Sequence, residues 1–185
     1  STLRTVIAKT IDGGYFAVNV SAVQKAVESL AWVRSANVSR IWPDTISISV
    51  VEEQATAVWE KGGLVNRQGA IILPLEESYP LALPVFDGPV GMERNLTEFY
   101  NKAKQAIEPL GIEIISLNLD SRGAYVIELS NDIELLLGRE HIQNRLERFA
   151  RVYKKVLVKR STEIARIDMR YSNGLAVGWR KLNKG

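Results

Sequence analysis

The sequence predicts an α+β protein in which a small helix-and-strand module precedes a larger, mostly antiparallel β-sheet domain with two helices. Two observations favour this class. Short β-prone runs bounded by turn residues recur along most of the chain, whereas long amphipathic helical patterns occur at only a few places. The chain has 185 residues, of which 46% are hydrophobic and 24% are charged. This is the composition of an ordinary folded protein and the length of one large domain or two small ones.

Residues 1–53 are predicted to form the first module, with two helices followed by two strands. Apolar residues recur at helical spacing over residues 3–11, and Ser21 is the predicted N-cap of the second helix. Two β-prone runs follow, at residues 38–42 and 46–50, with a proline turn between them. Strict alternation in the second run predicts a half-buried strand with its apolar residues on one face.

Residues 54–185 are predicted to form the larger domain. It opens with short strands and continues into a loop-rich stretch whose four prolines exclude a helix. A helix then begins at Asn95 or Thr97, and Gly111 is a suitable residue to end it. The strands of this first half are predicted at residues 55–59, 64–65 and 71–73.

The second half of the larger domain is predicted to hold further strands, a long helix and a final hairpin. The long helix covers residues 140–158, and Asn173-Gly174 between the last two β-prone runs is a strong signal for a tight turn. The apolar stripe of the helix consists of Ile142, Leu146, Phe149, Tyr153 and Val156. The strands are predicted at residues 112–119, 124–129, 133–137, 164–171 and 175–179.

The residue types of the chain offer little for catalysis or metal binding. There is no cysteine and one histidine, His141, whose place at the start of the long helix favours an exposed structural role. Glu52 and Glu53 are neighbours on a strand, so their carboxylates point to opposite faces and do not converge. The glycine pairs lack the lysine and hydroxyl residue of a phosphate-binding loop. We therefore expect no catalytic activity, no cofactor and no metal.

The outer face of the long helix is basic, although the net charge of the chain is only +3. Such a stripe can meet phosphate or anionic lipid. A solvated face opposite the apolar stripe explains it as well and is the favoured interpretation. No aromatic residues interleave with the charges, so we expect no binding of single-stranded nucleic acid. The basic residues are Arg145, Arg148, Arg151, Lys154, Lys155, Lys159 and Arg160.

The last predicted strand carries aromatic and small residues that suit partner binding. A final strand is often an edge strand with unpaired backbone N–H and C=O groups, and glycine or alanine lets another chain approach closely. Tyrosine and tryptophan are enriched in binding hot spots. The alternative is that this strand lies inside the sheet, with Trp179 in the core, and the residue pattern favours neither.

Several motifs, in order along nearly the whole chain, resemble the FtsQ/DivIB family of bacterial cell-division proteins. The run from Trp32 to Ile46 ends a strand in Arg40-Ile41-Trp42-Pro43-Asp44 and is followed by Glu52-Glu53-Gln54 and Ala57-Val58-Trp59. The later matching motifs are Leu137-Gly138-Arg139, Arg148-Phe149, the run from Asp168 to Gly174, and Val177-Gly178-Trp179.

The resemblance implies a non-catalytic scaffold of the division machinery. It implies a POTRA domain over residues 1–53 and a β domain over residues 54–185, both in the periplasm. A single inner-membrane helix and the first POTRA strand would then lie upstream of Ser1. The implied partners are FtsB and FtsL, through which the family helps to control septal peptidoglycan synthesis. The rival interpretation is a POTRA module of a transport or outer-membrane assembly system.

The resemblance also implies two sites. At the first, a segment of FtsB adds to the last strand of the β domain. At the second, the POTRA domain contacts other division proteins through Ser35, Val38 and Arg40. The residues that the resemblance assigns to the first site are Arg139, Arg170, Tyr171, Gly174, Leu175, Ala176, Val177, Gly178 and Trp179.

Overall fold

The computed structural model describes residues 18–180, which contain two separate hydrophobic cores. The smaller core lies between helix α1 (Val20–Glu28) and an antiparallel hairpin of β1 (Val33–Ile41) and β2 (Thr45–Glu52). Short aliphatic side chains fill it, as expected for a module of this size. The buried residues are Val18, Val23, Val27, Ala36 and Val38.

Helix α1 begins at a different cap from the predicted one. Its N-cap is Asn19, not Ser21, which lies inside the first turn. Asn19 has an extended backbone, and its side-chain oxygen accepts a hydrogen bond from the backbone N–H of Ala22 at 3.1 Å. Asparagine caps a helix as well as serine does, so the upstream residue takes the position. The helix predicted over residues 3–11 lies outside the described residues.

The hairpin confirms the alternation of its second strand and extends the first. Ile46, Ile48 and Val50 pack against the small core from one face of β2. Strand β1 begins five residues before its predicted start at residue 38 and ends at Ile41. The predicted run included Trp42, which instead lies in the turn and is 82% exposed.

The larger domain is a nine-stranded mixed sheet with its core on one face. The strands are β3 (Ala55–Trp59), β4 (Leu64–Asn66), β5 (Ile71–Ile72), β6 (Val85–Asp87), β7 (Ile114–Leu119), β8 (Tyr125–Leu129), β9 (Glu134–Gly138), β10 (Ile164–Asp168) and β11 (Ala176–Trp179). Their order across the sheet is β11-β10-β9-β8-β7-β6-β3-β4-β5. Five neighbouring pairs are antiparallel and three are parallel, so the mostly antiparallel prediction is confirmed.

Two helices cover the sheet and explain two of its parallel pairs. Helix α2 (Glu93–Ile107) connects β6 to β7, and helix α3 (Ile142–Lys155) connects β9 to β10. A crossover helix is the usual way to join parallel neighbours. Both helices contribute to one continuous core with the sheet, in which Leu96, Phe149 and Leu135 are fully buried. In each parallel pair, both strands end at the same end of the sheet. This arrangement positions the residues of the candidate site that follow β9 and β10.

Three local predictions in this domain are wrong. A strand, β6, lies within the proline-rich stretch, where it pairs with β3 and β7 and buries Phe86 completely. Helix α2 begins at Glu93, before Asn95 and Thr97. Helix α3 ends at Lys155, and Val156 is 62% exposed and outside the apolar stripe. Pairing with β3 and β7 accounts for the strand, whereas the two helix ends differ from the predicted ones by a few residues.

Direct hydrogen bonds join the two modules at the point where the chain passes between them. The indole Nε1 of Trp32 donates to Ser78 Oγ of the larger domain at 2.9 Å, while within the first module the backbone N–H of Glu53 donates to the carbonyl of Trp32 at 3.0 Å. Asn66, which is 4% exposed, donates from Nδ2 to the Glu53 carboxylate at 3.1 Å. The Asn66–Glu53 bond holds the chain just after β2 against the end of β4, and the Trp32–Ser78 bond holds the start of β1 against the segment between β5 and β6.

Candidate functional site at the sheet edge

Strand β11 forms one edge of the nine-stranded sheet. It pairs with β10, and within the described residues no strand lies on its other side. Trp179 at its end is 47% exposed. Of the two interpretations that the sequence leaves open, the edge position is therefore the one that the structure adopts. An edge strand has backbone groups that can pair with an added chain.

The hydrogen bonds of β11 show which backbone groups face outward. The N–H of Arg180 donates to the carbonyl of Glu163 at 2.7 Å, so residue 180 faces β10. The irregularity in this pair lies in β10, so alternation along β11 is unbroken. Ala176 and Gly178 therefore also face β10. The N–H and C=O groups of Val177 and Trp179 point away from the sheet.

The two faces of β11 differ in how they are covered. Leu175 and Val177 are half-buried and pack against the large core. Trp179 follows on the same face, and the guanidinium of Arg160 lies 4.2 Å from its ring centroid. Ala176 and Gly178 are exposed on the opposite face. Since these two side chains are minimal, the open face presents little bulk to an approaching chain.

The connection from β10 to β11 is longer than the Asn-Gly signal predicts. Strand pairing stops at Asp168 and Ala176, which leaves residues 169–175 as a seven-residue loop in place of a tight two-residue turn. Tyr171 lies in this loop, outside any strand, and is 58% exposed. A Cβ added to Gly174 would meet no atom within 4 Å, so the loop is open beside it. The loop presents Tyr171 beside the start of the edge strand.

Parallel pairing of β9 and β10 brings Arg139 and Arg170 to one end of the sheet. Arg170 donates to the Asp168 carboxylate through Nε at 2.9 Å and Nη2 at 2.6 Å. Arg139 follows Gly138, the last residue of β9, and its side chain is 68% exposed with Glu140 at 3.4 Å. Both guanidinium groups remain accessible, Arg170 with 59% of its side chain exposed.

Sequence reasoning missed the arginines that hold this edge. Arg180 donates from Nε to the carbonyl of Ile164 at 3.0 Å and from Nη2 to that of Asn131 at 2.9 Å, so it fixes the end of β11. The interpretation of Arg145 and Arg148 as part of a solvated basic face is wrong, because both are half-buried and donate to backbone carbonyls. No local pattern signals such bonds, because their acceptors lie far away in the sequence.

Two family models match the chain in succession. The model described as POTRA domain, FtsQ-type, matches residues 1–53, and the one described as cell division protein FtsQ/DivIB, C-terminal, matches residues 57–170. The chain belongs to the FtsQ/DivIB family. This family assignment supports a role in cell division and confirms a POTRA domain followed by a β domain.

Curated FtsQ proteins resemble the chain over almost its whole length. Cell division protein FtsQ of Coxiella burnetii is 35% identical over 96% of this chain and 73% of its own length. FtsQ of Xanthomonas campestris is 34% identical over 98% of this chain and 65% of its own length. FtsQ of Alcanivorax borkumensis is 32% identical over 97% and 70%. The chain thus spans about two thirds to three quarters of these FtsQ proteins.

The three POTRA residues that the resemblance assigns to a second site lie along β1 but differ in exposure. Ser35 and Arg40 are exposed, and Arg40 donates to the backbone carbonyl of Val18. Val38 is 6% exposed and belongs to the small core, so its side chain does not reach the surface. Its assignment as a contact residue is inconsistent with this burial. From Ser35 onward the alternation in β1 is regular, so Ser35 faces outward while Val38 faces the small core; Arg40 lies on the same face as Val38 but is exposed near the end of the strand.

The described part of the FtsQ-family chain has neither a membrane-spanning helix nor a metal-ligand cluster. No helix within residues 18–180 is long and apolar enough to cross a bilayer. The same residues contain no group of three or more histidine, cysteine, aspartate or glutamate side chains placed to hold a metal ion. His141 is exposed and forms the N-cap of α3 with a positive φ of 51°.

Acid is expected to weaken the fold through Asp168. Hydrogen bonds from the Arg170 guanidinium lower the pKa of the Asp168 carboxyl in the folded protein. A lowered folded-state pKa stabilises the protein fully above the unfolded-state value of about 3.9, and the contribution is lost as the pH falls through the lowered pKa. Below about pH 4, the free energy of unfolding should therefore fall more steeply for the wild type than for Asp168→Asn. Urea unfolding across a pH series measures this, and equal slopes would contradict it.

Proposed function

We propose that this chain is the periplasmic part of a single-pass inner-membrane scaffold of the division machinery. It has no catalytic role and no cofactor. It holds FtsB, and with it FtsL, by accepting a strand of FtsB along β11, and it thereby helps to coordinate septal peptidoglycan synthesis. The observation that carries the proposal is the edge position of β11 with the backbone groups of Val177 and Trp179 facing outward.

Side chains on either end of β11 complement the backbone pairing in this proposal. Tyr171 and Trp179 are large, exposed and separated by the length of the strand, so they suit the role of anchors for a partner. Ala176 and Gly178 leave room for the partner's own side chains on the open face. Gly174 and Leu175 lead into the strand beside a shallow cavity of about 430 Å³ formed by residues 171–176.

Arg139 and Arg170 provide the charge recognition of the proposed site. Both lie at the Tyr171 end of the strand, where the ends of β9 and β10 meet. An exposed guanidinium can bind a partner carboxylate with two parallel hydrogen bonds. Arg170 already engages Asp168, which orients its planar group at the surface. We therefore propose that an acidic residue of the partner sits near this end.

Further division proteins bind the POTRA domain in this proposal. Ser35 and Arg40 remain the candidates on the surface of β1. Val38 is left out of the contact surface because it is buried. Trp42 lies in the β1–β2 turn and is exposed. Its substitution can therefore serve as a control in binding experiments on the β domain.

Titration of the purified extracytoplasmic region of FtsB against this chain tests the proposal. We expect saturable binding to the wild type, weakened about 30-fold or more in Tyr171→Ala and in Trp179→Ala, as for the loss of a hot-spot residue. Trp42→Ala is the control, because it removes an even more exposed aromatic side chain, from the POTRA domain. Its affinity should equal that of the wild type.

Folding of each variant is checked first by far-UV circular dichroism and urea unfolding. Folded Tyr171→Ala and Trp179→Ala variants that bind as tightly as the wild type would remove β11 as the site. Absence of wild-type binding would overturn the FtsB assignment. The next hypothesis would then be a binding site on the POTRA surface, followed by a role as a POTRA module in transport or outer-membrane assembly.

A further inference from the structure

Four consecutive backbone carbonyls in the β10–β11 loop accept hydrogen bonds from two arginines of α3. Arg148 donates from Nη2 to the carbonyls of Met169 at 2.9 Å and Tyr171 at 2.7 Å, and from Nη1 to that of Ser172 at 2.6 Å. Arg145 donates from Nη2 to the carbonyl of Arg170 at 2.9 Å. We call these bonds the arginine clamp. They engage every carbonyl from residue 169 to residue 172.

The clamp ties the loop to a helix that is anchored in the large core. Arg145 and Arg148 are three residues apart on α3, so they project from one face of the helix. The helix is anchored beside them by Leu146 and Phe149, which are fully buried in the large core. Arg145 also donates from Nη1 to the carbonyl of Leu137 at 2.8 Å, which links the clamp to the end of β9. The loop is therefore held in a defined position relative to α3.

Gly138 has no side chain, and this leaves room for the arginine side chains beside it. Its φ of +71° is unfavourable for other residues, and a Cβ there would lie 3.0 Å from Arg145 Nη1 and 3.1 Å from Arg170 Cγ. The arginine side chains thus pack directly over this glycine. The loop, the end of β9 and the start of α3 meet around a cavity of about 400 Å³ lined in part by Arg145, Arg148 and Tyr171.

The edge strand needs such support because it is short and paired on one side within the described residues. Strand β11 has four residues, and a strand of this kind is expected to open more easily than the centre of the sheet. Arg180 holds its C-terminal end through the carbonyls of Ile164 and Asn131. The arginine clamp holds the loop that leads into its N-terminal end. Both ends of the strand are thereby fixed to the body of the domain.

We propose that Arg145 and Arg148 are positioning residues for partner binding, which order Tyr171 and β11 before the partner arrives. The inference rests on the proposed function of β11 as the strand that accepts a partner. Strand β11 is then already ordered when the partner strand adds to it, so binding loses less conformational entropy than it would with a disordered edge. If the ordered form became a minor population, the apparent affinity would fall in proportion to that population.

Arginine is required at these positions because one group must reach several acceptors. The guanidinium of Arg148 spans three carbonyls with two terminal nitrogens, in a planar arrangement that a lysine ammonium does not reproduce. Arg148→Lys keeps the charge and most of the aliphatic stem. It therefore disrupts the three clamp bonds of Arg148 with little change in the charge of the site.

The test compares Arg148→Lys with Arg151→Lys, an exposed arginine one turn further along α3. The first measurement is amide hydrogen exchange of the partner-free protein at Ala176 and Gly178, whose N–H groups face β10. The second is the dissociation constant for the extracytoplasmic region of FtsB. For Arg148→Lys we expect exchange at these amides to be about tenfold faster or more and affinity to be weaker by a similar factor. Arg151→Lys should match the wild type in both.

The two measurements separate this inference from the proposed function. Wild-type binding with an Arg148→Lys variant that keeps both its exchange rates and its affinity would overturn the positioning role alone. Lost affinity with unchanged exchange would also overturn it, since Arg148 would then contact the partner directly. Failure of the wild type to bind would overturn both proposals. Arg145→Lys, which loses fewer loop bonds, provides a second variant if Arg148→Lys does not fold, and a smaller effect in the same direction is expected.

Discussion

Replacing Val177 by proline is expected to abolish strand addition while the domain stays folded. The N–H of Val177 points away from β10, so the proline removes no hydrogen bond of the sheet. It does remove a donor that an added strand needs, and its ring occupies the space of that bond. We expect the affinity for the FtsB region to fall more than about 100-fold, which corresponds to about 2.7 kcal/mol.

The matched control for this change is Val177→Ala. It removes side-chain packing against the large core but keeps the backbone donor. We expect Val177→Ala to cost about 1–2 kcal/mol of stability, because the side chain is only half-buried, and to bind the FtsB region within a few-fold of the wild type. Isothermal titration calorimetry on both variants, with urea unfolding beside it, makes the comparison. Equal affinities would show that a partner docks through side chains without backbone pairing.

Local patterns predicted the parts of the fold that depend on local physics. The stripe of Leu146, Phe149 and Tyr153 on α3 is buried because helical spacing alone places these residues on one face. The alternation of β2 succeeded for the same reason. Strand β6 was missed because its three residues owe their conformation to pairing with β3 and β7 on both sides. No periodicity can appear in a run that short.

The sequence names candidate residues for the site, which stay a prediction, but it does not give their geometry. The resemblance to the family pointed to Tyr171 and Trp179, whereas the residue pattern left the edge and core positions of the last strand open. Strand order decides between them, and that order arises from contacts distant in sequence. The long loop after β10 follows from the same cause, since the arginine clamp competes with the tight turn that Asn173-Gly174 favours. Arg148 lies more than twenty residues before the carbonyls it binds.

Replacing Gly69 by alanine is expected to be among the most destabilising single changes in the β domain. Gly69 lies in the β4–β5 turn with a φ of +77°, and an added Cβ would lie 2.4 Å from the Cα of Arg94 in the first turn of α2. The left-handed backbone alone costs about 1–2 kcal/mol for alanine. The overlap is with backbone, which cannot move without shifting α2, and overpacking of this kind adds about 1–3 kcal/mol.

Gly111→Ala separates these two contributions. Gly111 has a similar φ of +72°, but a Cβ added to it would lie in open space. Alanine at position 111 therefore introduces the backbone strain without any steric overlap. We therefore expect Gly69→Ala to lower the free energy of unfolding by about 3–4 kcal/mol and Gly111→Ala by about 1–2 kcal/mol. Urea unfolding monitored by tryptophan fluorescence measures both, with Trp59 in the core as a reporter. Equal losses would mean that α2 yields to the added methyl group. The packing of the β4–β5 turn against that helix would then be loose, although the same turn holds Glu53 through Asn66 and so joins the two domains.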